Sequence, residues 1–410
     1  MKTKFVIFFT ALLLFFACNL NNEEIDREIN LSEKAAKLVE SDNEFGLELF
    51  QKIVASEKAS NIMVSPLSVA LALAMTYNGA NGETKTAMEN TLKLNGLSPE
   101  DINVSYKMLI EALKSLDEKV LLEIANAIFY RDDFSVEPEF IAVNKSYYDA
   151  EVTPLDFNSP GSLDIINNWV ADKTNDKITK ILDEITPDQV MFLLNAIYFK
   201  GIWAKEFNNK STIDYPFYSE TGESESVKMM CRLDTLDYAT NDLFSAIKLP
   251  YGKGNYNLFV FLPEQGKTTN DIVSALTIDN WHTWMDEFSS TNSIDIKFPK
   301  FNFEYEIELN DILTDMGMGV AFTDAADFTG INSAGGLKIG FVKHKTFVEV
   351  NEEGTEAAAV TIVSIELTSV GNEPPKIPFT VNKPFVFAIT EKDTGAILFI
   401  GTVSKPEYDN

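Results

Sequence analysis

The chain has 410 residues, 34 basic against 62 acidic side chains for a net charge of −28, two histidines and two cysteines, and is 45% hydrophobic. That composition supports a large core and excludes a disordered or low-complexity protein. The charge argues against nucleic acid or a heparin-like polysaccharide as partner, because polyanions are held by clustered Lys and Arg. Cys18, Cys231, His282 and His344 are too few and too scattered for a metal site or a disulfide framework.

Lys2 and Lys4 precede an apolar run from Phe5 to Ala17, too short to cross a bilayer about 30 Å thick, so residues 1–17 read as a signal peptide. Ala17-Cys18 resembles a bacterial lipoprotein cleavage box with Phe15 where Leu is usual, which makes Cys18 a lipidation site; the alternative is an ordinary signal with a chance cysteine. Residues 18–34 then form an acidic tether outside the fold. No repeat and no long linker divides 35–410, which predicts a single domain.

Helical spacing is clear over Ser32 to Ser56 and Ser68 to Thr76, with Ser32 and Ser65 as N-caps and Pro66 at the first helical position. Met108 to Leu116 and Leu163 to Asn175 predict two further helices. Strands are expected at Leu121 to Tyr130, Val190 to Phe199, Tyr256 to Leu262, Ser293 to Phe298, Thr346 to Asn351, Phe385 to Thr390 and Ala396 to Val403. Helices first and strands later predict an α+β fold with large antiparallel or mixed sheets, several strands being buried on both faces.

Catalytic chemistry finds little support. There is no Gly-x-Ser-x-Gly elbow, no His-Glu-x-x-His and no phosphate loop, and Gly252-Lys253-Gly254 reads as a hairpin turn. His282, between Trp281 and Trp284, is expected to be packed, and Cys231 to be a buried inert thiol. The chain is not expected to be an enzyme.

One segment carries a mechanism. Read as a strand of period two, Thr355, Ala357, Ala359, Thr361, Val363 and Ile365 form an uncharged face, while Glu356 and Glu366 bound the other. No proline interrupts it before Thr368, yet Glu352-Glu353-Gly354 and Gly371 to Pro375 are loop chemistry. A stretch built like a central strand and bounded like a loop suggests two resting places. An ordinary strand and a short helix are the alternatives.

Glu352 to Ala359, Asn382-Lys383-Pro384-Phe385 and Ala396 to Pro406 resemble the hinge and C-terminal signature of the serpin family. The resemblance extends to Asn61 to Ala70, Asn167 to Val170, Leu194 to Trp203 and Phe298 to Phe301, and with the signal it is similar to the bacterial lipoprotein (miropin) type. It implies three β-sheets, eight to nine helices and an exposed reactive-centre loop, here about 352–380. It also implies a monomeric suicide-substrate inhibitor, without cofactor or heparin, that traps a serine protease as an acyl-enzyme when the cleaved loop inserts into the main sheet. The rival reading is a non-inhibitory member acting as a surface binding module.

Family spacing from Gly354 places the reactive bond at Thr368-Ser369, with Leu367 and Val370 as alternatives, and the hinge at Gly354, Thr355, Glu356, Ala357, Ala358 and Ala359. The absence of a basic residue there implies elastase-, subtilisin- or chymotrypsin/cathepsin-G-like targets, with papain-like cysteine proteases as a second class. The resemblance makes His344 a shutter residue bonded to Asn195 and Ser65, and assigns Trp203, Lys300 and Glu352 to the breach, Lys300 pairing with Glu352. The expected location is outside the cytoplasm, lipid-anchored at the outer membrane or cell surface.

Overall fold

The computed structural model describes residues 28–355 and 376–408. Cys18, Glu356, Ala357, Ala358, Ala359, Leu367, Thr368, Ser369 and Val370 lie outside them. Among the described residues there are nine α-helices: α1 (Glu33–Ser56), α2 (Pro66–Tyr77), α3 (Gly82–Thr91), α4 (Pro99–Lys114), α5 (Pro138–Tyr148), α6 (Pro160–Lys173), α7 (Thr269–Ser274), α8 (Ile278–Asp286) and α9 (Asn310–Leu313). The first strands are β1 (Asn61–Val64), β2 (Val120–Arg131), β3 (Glu151–Leu155), β4 (Met191–Ile202) and β5 (Ile213–Tyr218). They are followed by β6 (Ser224–Thr240), β7 (Phe244–Tyr251), β8 (Tyr256–Pro263), β9 (Ser289–Pro299) and β10 (Phe301–Glu308). The last are β11 (Lys343–Val350), β12 (Gly354–Thr355), β13 (Ile377–Thr380), β14 (Phe385–Glu391) and β15 (Ile397–Val403).

The caps act where the sequence places them. Ser32 Oγ accepts from Ala35 N–H at 3.2 Å, and Ser65 Oγ from Ser68 N–H at 3.3 Å with Pro66 leading α2. α2 is apolar all round because nearly every residue of it is buried. α4 begins well before the expected Met108, since Ser98 and Asp101 cap each other reciprocally at its start. His282 corrects its reading. Trp281 and Trp284, three apart, define the buried face of α8, so His282 points outward with Nε2 3.1 Å from Glu40. Cys231 is half-buried, and burial pushes its thiol up, toward the protonated form.

Among the described residues, one sheet has six strands in the order β10-β11-β12-β4-β2-β3, with only β2–β3 parallel. The other strands join in a nine-stranded network, β1-β15-β14-β8-β7-β6-β9-β13 with β5 on β6. Three sheets were expected, and the hydrogen bonds give two networks because β6 belongs to two layers. Its first part pairs with β5, its last with β7, and its ladder to β9 slips between Asp234 and Leu236. β14 and β15 are buried at every residue, as fully apolar strands require. Asn43 of α1 ties down their turn, donating to Gly395 O and accepting from Ile397 N–H, each at 3.0 Å. The body begins earlier than the tether reading places it: Ile29 and Leu31 pack on the core, and Ile29 N–H donates to Asp393 at 2.9 Å.

Beside Asn43 lies a buried acid without a countercharge. Asp42 Oδ1 accepts from the Tyr106 hydroxyl at 2.7 Å while Oδ2 has no hydrogen-bond partner. Burial raises its pKa from 3.8 to about 7, against the lowering effect of the Tyr106 bond. The folded state therefore holds a proton that the unfolded chain releases near pH 4, and the resulting stability, up to about 4 kcal/mol, is lost as pH rises from 4 to 7. We expect Asp42→Asn to gain stability relative to the parent across that interval, read from urea unfolding midpoints at pH 5 and 7.5; parallel pH profiles for the two chains contradict this.

Candidate functional site at the open sheet

Among the described residues, β11 and β4 are neighbours only through the two residues of β12. Val350 pairs with Thr355, while Gly354 and Thr355 pair with Ile202 and Gly201. Among the described residues, no ladder joins β4 to β11 below that point. A cavity of about 580 Å³ occupies the gap, with Asn195 and His344 among its lining residues, Ser68 and Val69 of α2 on one side and Val170 of α6 on another. The connection after α6 is held to β11 by Lys177–Glu349 at 3.4 Å and Asp183–Lys343 at 3.2 Å.

The gap corrects one expected contact. The expected bond to Ser65 is present, its backbone N–H donating to His344 Nε2 at 3.0 Å while its hydroxyl caps α2. Asn195 is not bonded to His344. Its Nδ2 donates to Asn126 Oδ1 at 2.8 Å and its Oδ1 is left without a partner. The reason is geometric: Asn195 is on β4 and His344 on β11, and among the described residues no ladder joins those strands at that level. Burial lowers the His344 pKa from 6.5 to about 4, so the ring is neutral at pH 7 and Nε2 is free to accept.

At the upper end the expected breach residues converge. Lys300 Nζ and Glu352 Oε2 are 2.8 Å apart, and Glu352 Oε1 accepts from the Thr212 hydroxyl at 2.7 Å. Burial alone would raise the Glu352 pKa, but the bonds from Lys300 and Thr212 prevail and hold it below the ordinary value. Trp203 Nε1 donates to Asn351 O at 2.9 Å, and Trp203 N–H donates to Glu353 O at 2.8 Å.

Four contributors escaped the sequence reading. Asn351 Oδ1 accepts from Glu353 and Gly354 N–H at 3.0 and 3.3 Å, reversing the chain from β11 into β12. Its signal, Asn three residues before Gly after a strand, was present in the sequence. Tyr408 lays its ring 4.1 Å from Lys300 Nζ and donates to Glu349 at 2.8 Å. Asn126 and Tyr251 reach the site from distant strands, and local pattern gives no sign of either.

A sequence profile described as serpin, serine protease inhibitor, matches residues 40–406. The chain is a member of the serpin family. An uncharacterized serpin-like protein of Methanosarcina acetivorans is 34% identical over 379 residues, covering 90% of this chain and 86% of that one. Native tengpin, a thermophilic serpin, superposes with a TM-score of 0.82 at 34% identity, over 92% of this serpin and 96% of tengpin; its latent state gives 0.79. Human thyroxine-binding globulin gives 0.83 at 26% identity, over 92% of this serpin and all of that chain. The fold is the serpin fold, and it belongs to a family described by protease inhibition.

Gly354 is the tightest point of the site, because a Cβ there would stand 2.0 Å from Gly201 O. Gly354→Ala is expected to push β12 away from β4 at a cost of about 1–3 kcal/mol. Faster amide hydrogen exchange at Trp203 and Asn351, which donate to Glu353 O and Gly354 O, is the readout; unchanged protection contradicts the account.

Proposed function

We propose that this serpin is a suicide-substrate inhibitor of serine proteases, and that the gap between β4 and β11 is the slot that receives its reactive-centre loop. The observation that carries the reading is the seating of Gly354 and Thr355 at the mouth of that gap. If the inserting loop kept this register, antiparallel to both neighbours, Thr361 would come opposite Asn195 and His344 together, and Ile365 opposite Met191. Thr355 and its partner Val350 are buried, so on insertion the odd-numbered face, Thr355, Ala357, Ala359, Thr361, Val363 and Ile365, would turn to the core. That is the face the sequence keeps free of charge.

The chemistry belongs to the attacking enzyme. Its serine hydroxyl adds to the Thr368 carbonyl, the amine of Ser369 leaves with a proton, and an ester joins protease to loop. Insertion then competes with hydrolysis of that ester. Fourteen steps from Gly354 to Thr368, at about 3.3 Å each, carry the bound protease roughly 46 Å. Each inserted residue gains ladder hydrogen bonds of about 1 kcal/mol net. Leu367 and Val370 are alternative cleavage points. The apolar and hydroxyl side chains around the bond suit elastase-, subtilisin- and chymotrypsin/cathepsin-G-like enzymes, and papain-like cysteine proteases form a second class.

The export reading belongs to the same proposal: residues 1–17 as signal peptide, Cys18 as lipid anchor, and a monomer at the outer membrane or cell surface, where such proteases are met. The likeness to thyroxine-binding globulin, whose name describes binding, supports a second reading as a non-inhibitory binding module.

A denaturing gel after incubation with neutrophil elastase or subtilisin separates the two. Inhibition gives a band at the summed mass, whereas the binding reading gives a clipped serpin and free, active protease. Thr355→Arg would bury an unpaired charge at several kcal/mol and is expected to turn inhibitor into substrate; an undiminished complex in that variant contradicts the insertion mechanism.

A further inference from the structure

Tyr251 ends β7, a strand of the nine-stranded network, yet its hydroxyl reaches the six-stranded sheet. Its ring stacks on Trp203, centroids 4.4 Å apart and planes 11° from parallel, and meets Phe199 edge-on at 5.1 Å. Trp203 and Tyr251 are also joined as an isolated bridge. β4 makes room for the ring with a glycine, since a Cβ on Gly201 would stand 2.8 Å from Tyr251 Cδ1. Gly201 is the residue that pairs with Thr355. On this fixed platform the Tyr251 hydroxyl lies 2.6 Å from Thr355 Oγ1, both groups buried.

We propose that the Tyr251 hydroxyl is the receptor for the first inserted side chain: it selects a hydroxyl at position 355 and fixes the register in which the loop enters the sheet. The proposal rests on the inhibitory reading above and deepens it. A phenol held by two aromatic rings cannot turn to find another partner. Left without Thr355, it would be a buried unsatisfied donor, so the seat favours a loop that brings a hydroxyl over one that brings only an apolar group. Burial pushes the Tyr251 pKa upward, and the phenol stays neutral with its proton available for the bond. A register slip of one residue would present Gly354 or Glu356 to the same hydroxyl and turn the uncharged face outward. Tyr251 is buried in the sheet and acts through Thr355, so it is a positioning residue.

A double-mutant cycle with Tyr251→Phe and Thr355→Val tests this. Each single variant strands one buried hydroxyl, and the double variant replaces both by apolar groups of nearly the same shape. With elastase or subtilisin, each single change is expected to shift partitioning from covalent complex toward clipped inhibitor by about five- to tenfold, and the double variant to recover most of that loss. Additive losses, or no loss in either single variant, overturn the proposal. If the parent chain forms no covalent complex, the inhibitory reading fails instead. The receptor is then judged from the rise in unfolding midpoint on loop cleavage in the same four chains: recovery in the double variant upholds it, and additivity overturns it.

Discussion

Everything in the site follows from a ladder that, among the described residues, stops after two residues of β12. A central sheet is stable because each strand satisfies the backbone groups of its neighbours. Below Gly201 on one side and Val350 on the other, the facing edges of β4 and β11 have no strand partner among the described residues. Such edges invite a strand. In the proposed mechanism the strand that answers is the chain's own, residues 355–365, whose sequence alternates as such a strand would.

The surroundings hold the two strands on either side of that point. α2 supports β11 from one side through the Ser65–His344 bond. The connection after α6 is tied to β11 by Lys177 and Asp183. At the mouth, Lys300, Glu352, Trp203 and Asn351 hold the turn that delivers Gly354 and Thr355. Asn195 Oδ1, on the β4 side, has no hydrogen-bond partner.

Much of this was legible in the sequence, in proportion to how local each cause is. The caps Ser32 and Ser65, the apolar α2 and the strands β14 and β15 follow from short-range pattern. So does the uncharged alternation from Thr355 to Ile365. α4 was entered late because its Ser98-Asp101 capping box precedes the apolar run, and β6 was missed because it alternates between two layers across a bulge. His282 was misplaced by proximity in sequence to two tryptophans whose helical phase differs from its own. The Asn195–His344 contact was expected from kinship alone. Nothing local in either strand shows that a gap lies between them, and Tyr251 and Asn126 enter the site only through tertiary pairing.

The central claim is that the uncleaved sheet is an unfinished state completed by the chain's own loop. The most direct test compares urea unfolding midpoints of the intact protein and of the protein cut once near Thr368. Completion of the ladder predicts a markedly higher midpoint after cleavage, with the two fragments still associated. Equal midpoints, or a lower one after the cut, would contradict it.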